Sequence, residues 1–150
     1  MNTLISAGEM MRKKQHRFIA ISPDAMAYDG LELMSERNVG ALLVMEDGKL
    51  VGMFSERDYA RKVILKGRSS RNTTIRELMS TPAITIAPAC SLREAMIMMT
   101  EKHIRHLPVV DEGRVLGVMT IGDVVRALVS AQDSTIEELE EYIAGTGYRA

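Results

Sequence analysis

Two short segments carry residue types at a spacing suited to binding chemistry: Ser55-Glu56-Arg57-Asp58 and Thr120-Ile121-Gly122-Asp123. Each sets a hydroxyl three residues ahead of a carboxylate, after an apolar strand-like run and before a helical pattern. Both groups therefore fall in a first helical turn, where unpaired N–H groups and the positive end of the helix dipole favour anions. Ser/Thr-x-x-Asp is also close to a capping box, which serves only to start a helix. Two readings stand side by side: caps alone, or caps whose carboxylates also hold a bound molecule.

The elements that position these segments are written twice. Adding 65 to each number carries Val51-Gly52-Met53-Phe54-Ser55 onto Leu116-Gly117-Val118-Met119-Thr120. The same step carries Ile19, Ile21 and Pro23 onto Ile84, Ile86 and Pro88, and Ala27, Leu31 and Met34 onto Leu92, Met96 and Met99. Leu42 and Val44 meet Leu107 and Val109, and Arg61 meets Arg126, with no gap between. Such register over a whole supersecondary unit marks an internal duplication.

Within one unit the pattern predicts a strand at Phe18, Ile19 and Ile21 ended by Ser22-Pro23, then a helix from Asp24 to Arg37. A β-prone run from Val39 to Met45, buried on both faces, turns at Asp47-Gly48 into a strand from Leu50 to Phe54. A helix opened by Ser55 then runs to Lys66, and a polar, basic linker follows to Thr73. Residues 3–14 read as a helix with Met10 and Met11 on its apolar side and Arg12, Lys13 and Lys14 solvated. Thr74-x-x-Glu77 caps its counterpart, which ends near Met79, and Ser134-x-x-Glu137 opens a last helix to Gly145.

The expected fold is α+β, a β-α-β-β-α unit used twice. Its boundaries are an N-terminal helix at 1–16, repeats at 17–66 and 83–130, a linker and short helix at 67–82, and a C-terminal helix and tail at 131–150. A repeat of this size buries too little apolar surface to be stable alone. Two repeats packed sheet against sheet would share one core about an approximate two-fold axis, leaving two equivalent clefts. Both Ser/Thr-x-x-Asp helix starts would face those clefts.

Composition removes several classes. The formal charge of −1 gives no electrostatic case for nucleic acid, and no apolar run approaches the length of a membrane span. The single Cys90 excludes an internal disulfide and suits a reducing, cytoplasmic setting. It stands at a helix start, where a thiol pKa can fall, but its counterpart is Ala25, which favours small-residue packing. The 12 methionines serve adaptable packing or a pliable interface. No phosphate-binding glycine loop, metal-ligand spacing or nucleophile with a base points to an enzyme.

Ile-Ser-Pro and Ile-Ala-Pro at the first strands, Arg105-His106-Leu107-Pro108-Val109-Val110-Asp111, and the paired Gly-x-x-Ser/Thr-x-x-Asp segments give the chain a familiar look. It resembles the cystathionine-β-synthase (CBS) domain, and its tandem resembles the paired-CBS, or Bateman, module over residues 17–130. The resemblance implies a regulatory module that binds an adenosine-containing ligand and dimerises. AMP is the first expectation, with ADP, ATP, NAD or S-adenosylmethionine as alternatives. It also implies that Asp58 and Asp123 hold ribose hydroxyls, that Ser55 and Thr120 lie near ribose or phosphate, and that Arg105 and His106 reach phosphates. On that basis the Asp58 cleft should have Val39-Gly40-Ala41 as a small-residue adenine wall and Arg57, Arg105 and His106 around the phosphates. His16 is a further candidate beside the adenine, while His103 matches Asn38 and ends a helix. The Asp123 cleft, with Gly122 in place of Arg57, should lack the cations and bind weakly. No output domain follows, so a signal must leave through an unnamed partner protein. A dimeric scaffold without a physiological nucleotide is the competing expectation.

Overall fold

The computed structural model describes residues 5–14 and 18–130. The duplication holds element by element. Helices α2 (Ala27–Arg37) and α5 (Leu92–Lys102), strands β2 (Ala41–Glu46) and β4 (His106–Asp111), and strands β3 (Lys49–Ser55) and β5 (Arg114–Thr120) match at both ends. Each hairpin turns on two left-handed residues, Asp47 (φ 52°) with Gly48 (φ 75°) and Glu112 (φ 48°) with Gly113 (φ 80°). Such a turn carries the same twist as the strands it joins. Both hairpins also slip register at the same place, between Val44 and Met45 and between Val109 and Val110. Helices α2 and α5 stop on left-handed residues, Asn38 (φ 53°) and His103 (φ 54°), so His103 is a helix C-cap as its match to Asn38 predicts.

The first strands are weaker than their apolar residues suggest. Strand β1 is only Ala20–Ile21, parallel to β2; Phe18 and Ile19 precede it, although the Ile19 carbonyl still accepts from Leu43 N at 2.9 Å. Its counterpart shrinks to one parallel bridge between Ile86 and Val109. Prolines 23 and 88 follow at once, and a proline offers a ladder no N–H. Helix α2 begins at Ala27 rather than Asp24, because Met26 is still extended. The helix after Ser55 is α-helical only over α3 (Glu56–Tyr59), then widens to a π-helical segment at Ala60–Ile64. There Lys62 donates to the Leu78 carbonyl at 2.8 Å, while residues 121–130 of the second repeat stay α-helical. The helix expected over 134–145 lies outside the described residues.

A single shared core is not what forms. One buried cluster joins Ala27, Met34, Leu42, Val44, Phe54, Val63, Ile75 and Leu78. The other joins Ala7, Met11, Ile86, Leu92, Ala95, Met99, Leu107, Val109, Met119 and Val124. The strand β2 pleat explains the division: Leu42 and Val44 point into the first cluster, while buried Leu43 between them belongs to neither. That leaves each sheet one face for its own helices and one for the other half.

The two short helices are exchanged with respect to chain order. Helix α1 (Ala7–Lys13) docks on the second repeat, where Ala7 N donates to Cys90 O (2.7 Å), Gly8 N to Pro88 O (2.9 Å) and Leu92 N to Ile5 O (2.9 Å). Helix α4 (Ile75–Leu78) repeats that pattern on the first, with Ile75 N to Ala25 O, Arg76 N to Pro23 O and Ala27 N to Thr73 O, each 2.8 Å. The chain therefore crosses between its halves at both short helices.

Candidate functional site

Strand β3 runs straight into α3, so Ser55 is both the end of a strand and a helix cap. Its hydroxyl accepts from Asp58 N at 3.2 Å, and Asp58 Oδ2 accepts from Ser55 N at 3.0 Å. The capping reading is thus correct. Asp58 Oδ2 also accepts from the Ser55 hydroxyl at 3.0 Å, and Oδ1 lies 3.2 Å from the donating Ser80 hydroxyl and 3.3 Å from Lys62 Nζ. In the second repeat Thr120 N donates to Asp123 Oδ2 at 2.9 Å, and Asp123 N to Thr120 Oγ1 at 3.0 Å.

A cleft of about 910 Å³ opens above the first cap, and it gathers most of the residues expected there. Ser55, Arg57 and Asp58 come from the first repeat, and Arg105 and His106 from the second. Arg57 spans the halves, its Nη1 donating to the carbonyl of the C-cap His103 at 2.7 Å. Glu56, Ser80 and Ile84 also line this cleft, and none of these was expected. Gly40 and Ala41 are on its wall, but Val39 is not.

Val39 lines a second cleft, of about 710 Å³, with Ile19, Thr120, Arg37 and Lys14. The two-fold relation accounts for this correction. Each cleft combines the helix start of one repeat with the strand entry of the other: Asp58 with Ile84, Ile104 and Arg105, and Thr120 with Ile19, Val39 and Gly40. Reading the same offset across the halves, rather than within one, would have assigned Ile84 and Ile104 to the first cleft. His16 lies outside the described residues.

The wall of the second cleft includes Thr120 but not Asp123, and with Lys14 and Arg37 on it the cleft is not short of cations. Lys14, expected in solvent, has a side chain only 25% exposed, and its ammonium donates to Asp123 Oδ2 at 2.8 Å. Arg126 reaches Oδ1 of the same carboxylate, also at 2.8 Å. Burial alone would push the Asp123 carboxyl up, but hydrogen bonds from Lys14 and from the Thr120 backbone outweigh it, leaving the pKa below the ordinary value.

The clefts meet at Gly40, Ala41, Met53 and His106. A side-chain carbon on Gly40 would stand 3.7 Å from His106 Cε1, an ordinary contact distance, so the imidazole lies directly against this glycine. Burial, then the charges of Lys14 and Arg105, hold the His106 pKa below its ordinary value against the pull of Asp123. That favours the neutral ring, and a phosphate beside it would favour protonation instead. Cys90 packs against the second core cluster, and burial, followed by the charge of Glu94, raises its thiol pKa. Among the described residues no cluster of His, Cys, Asp and Glu side chains could hold a metal ion. No described helix is long and apolar enough to cross a membrane.

The family model described as the CBS domain matches residues 7–65 and again residues 75–130. The chain belongs to the CBS-domain family. Its relatives include the mitochondrial CBS domain-containing protein CBSX3 of Arabidopsis thaliana, 41% identical over 130 residues. That match covers 83% of this chain but only 63% of the plant protein's length. The CBS domain-containing protein YhcV of Bacillus subtilis is 37% identical over 103 residues, covering 69% of this chain and 73% of that one. Among solved structures, the CBS-domain protein NE2398 superposes with a TM-score of 0.78 at 35% identity, covering 83% of this chain and 97% of that one. A CBS-domain protein from Burkholderia ambifaria, described as concerned with signal transduction, gives 0.79 at 36%, with 85% and 96% covered. The tandem CBS pair is thus the fold, and the paired helix starts are its repeat motif.

Proposed function

We propose that this CBS pair is a regulatory module that binds an adenosine nucleotide in the first cleft and acts through a partner protein, not an enzyme. The observation that carries the reading is one cleft joining a diol acceptor, Asp58, to the cations Arg57 and Arg105 and to His106. AMP is the ligand favoured, with ADP, ATP or NAD as alternatives of the same chemistry. Ile84 and Ile104 supply the apolar wall that an adenine ring needs. Charge-assisted hydrogen bonds to its phosphate would contribute about 1.5–3 kcal/mol each.

A thermal-melting panel on protein freed of copurified nucleotide tests this. A ligand at about a hundred times its Kd stabilises the folded state by roughly 2.7 kcal/mol. For a domain of this size that is a rise on the order of 5–10 °C, at about 2–4 °C per kcal/mol. AMP should produce it and GMP should not. A flat response to every adenosine compound would transfer the argument to a scaffold.

That second reading has its own support. Ile64 (58% exposed), Leu65 (76%), Val125 (51%) and Val129 (50%) lie on or just beyond the helices that follow the two caps. Apolar residues this exposed are commonly covered by another chain. We infer that these helices meet their equivalents in a homodimer, with or without nucleotide. Light scattering at micromolar concentration should give twice the mass of one chain, and a monomeric mass would end the idea.

A further inference from the structure

We propose that Lys14 is an internal competitor in the second cleft, occupying the carboxylate that a ribose diol would need and yielding it only to a ligand that brings an anionic group. The inference rests on the nucleotide reading above and adds a selectivity to it. Asp123 is 9% exposed and does not itself line the cleft; it lies behind Lys14 and Thr120, which do, and three donors already reach its carboxylate. Oδ2 accepts from Lys14 Nζ and Thr120 N, and Oδ1 accepts from Arg126. Lys14 is also anchored behind, its ammonium donating to the Val118 carbonyl at 2.7 Å.

The matched place in the first cleft is built differently. There the segment leaving α4 offers Asp58 the neutral Ser80 hydroxyl at 3.2 Å. The cation near Asp58, Lys62, comes from its own helix, is 42% exposed and stands back at 3.3 Å. The same crossing of the chain therefore brings a hydroxyl to one carboxylate and a part-buried ammonium to the other. Its cause is the docking of α1 on the second repeat, which ends at Lys14 beside β5.

A neutral nucleoside entering the second cleft would have to displace the ammonium and give nothing back. That forfeits about one charge-assisted hydrogen bond, on the order of tenfold to a hundredfold in Kd. A phosphate on the ligand would accept from the displaced Lys14 and recover the loss. The second cleft is then selective for phosphorylated ligands.

Calorimetric titration of the full chain in an Asp58→Ala background, which silences the first cleft, reads this directly. AMP should bind and adenosine should not. Adding Lys14→Met keeps the apolar stem and removes the charge, so adenosine should tighten at least tenfold while AMP does not. Lys14→Arg, which keeps the charge, should preserve the preference for AMP and controls for a folding defect. An AMP-to-adenosine ratio unchanged by Lys14→Met, or a second cleft that binds neither ligand in any variant, overturns the competitor. If wild-type protein binds no adenosine compound in either cleft, the nucleotide reading falls, and the competitor with it.

Discussion

Asp58→Ala is expected to weaken AMP binding at least a hundredfold, while Asp123→Ala costs far less. On the nucleotide reading proposed above, the first substitution removes both acceptors for the ribose diol from the cleft that holds Arg57, Arg105 and His106. Losing two hydrogen bonds to a charged acceptor amounts to several kcal/mol, at about 1.4 kcal/mol per tenfold. The second acts in a cleft where Lys14 already occupies the carboxylate. Stability should rank the other way. Asp58→Ala loses a helix cap, about 1 kcal/mol. Asp123→Ala loses a cap and also strands the ammonium of Lys14, whose side chain is only 25% exposed. Titration well below both melting points separates affinity from stability. In the same assay His106→Ala should weaken AMP and leave adenosine nearly unaffected, the result expected of an imidazole proposed to meet the phosphate. Loss of binding in Asp123→Ala alone would mean that the wrong cleft has been chosen. Indifference to both would reduce the aspartates to caps.

The parts of this fold legible in the sequence are those set by local chemistry. Asp47-Gly48 had to turn, Ser55 and Thr74 had to cap, and the common offset set α5, β4 and β5 by α2, β2 and β3. Ser55 and Asp58 followed from the same repeat, Arg105 and His106 from the family resemblance, and with Arg57 they do meet in one cleft. What escaped was set by long-range docking. Nothing near Lys14 in the chain marks it as the partner of Asp123, because the contact depends on α1 crossing to the far repeat. A lysine ending a short helix reads as solvated, since that is where most such lysines lie. Val39 was misplaced for a related reason: two-fold symmetry pairs residues across halves, and local pattern speaks only within one. The two-residue β1 shows propensity overruled by the prolines that follow it.

Phe54→Ala should cost about 3–5 kcal/mol, whereas Phe54→Met should cost less than about 1.5 kcal/mol. Phe54 is fully buried and sits where three elements of the first core meet. A side-chain carbon placed on Gly30 of α2 would lie 3.0 Å from its ring and 3.0 Å from Ile75 Cδ1 of α4. The glycine therefore lets α2 settle onto the ring, and removing the ring leaves a cavity that α2 and α4 cannot both close. A loss of that size is a large share of the roughly 5–15 kcal/mol that holds a domain folded. Methionine is the residue that the second repeat uses at the equivalent place, Met119, which is also fully buried. Its flexible thioether fills irregular space of similar volume, so the duplicated framework already contains a working solution. Urea unfolding at fixed protein concentration should show the alanine variant's midpoint far below that of wild type, with the methionine variant close to it. A fall of less than about 1 kcal/mol for alanine, or equal losses for both, would mean that the first core is not organised around this ring. Because Phe54 immediately precedes the cap at Ser55, the alanine variant should also bind AMP more weakly wherever it remains folded.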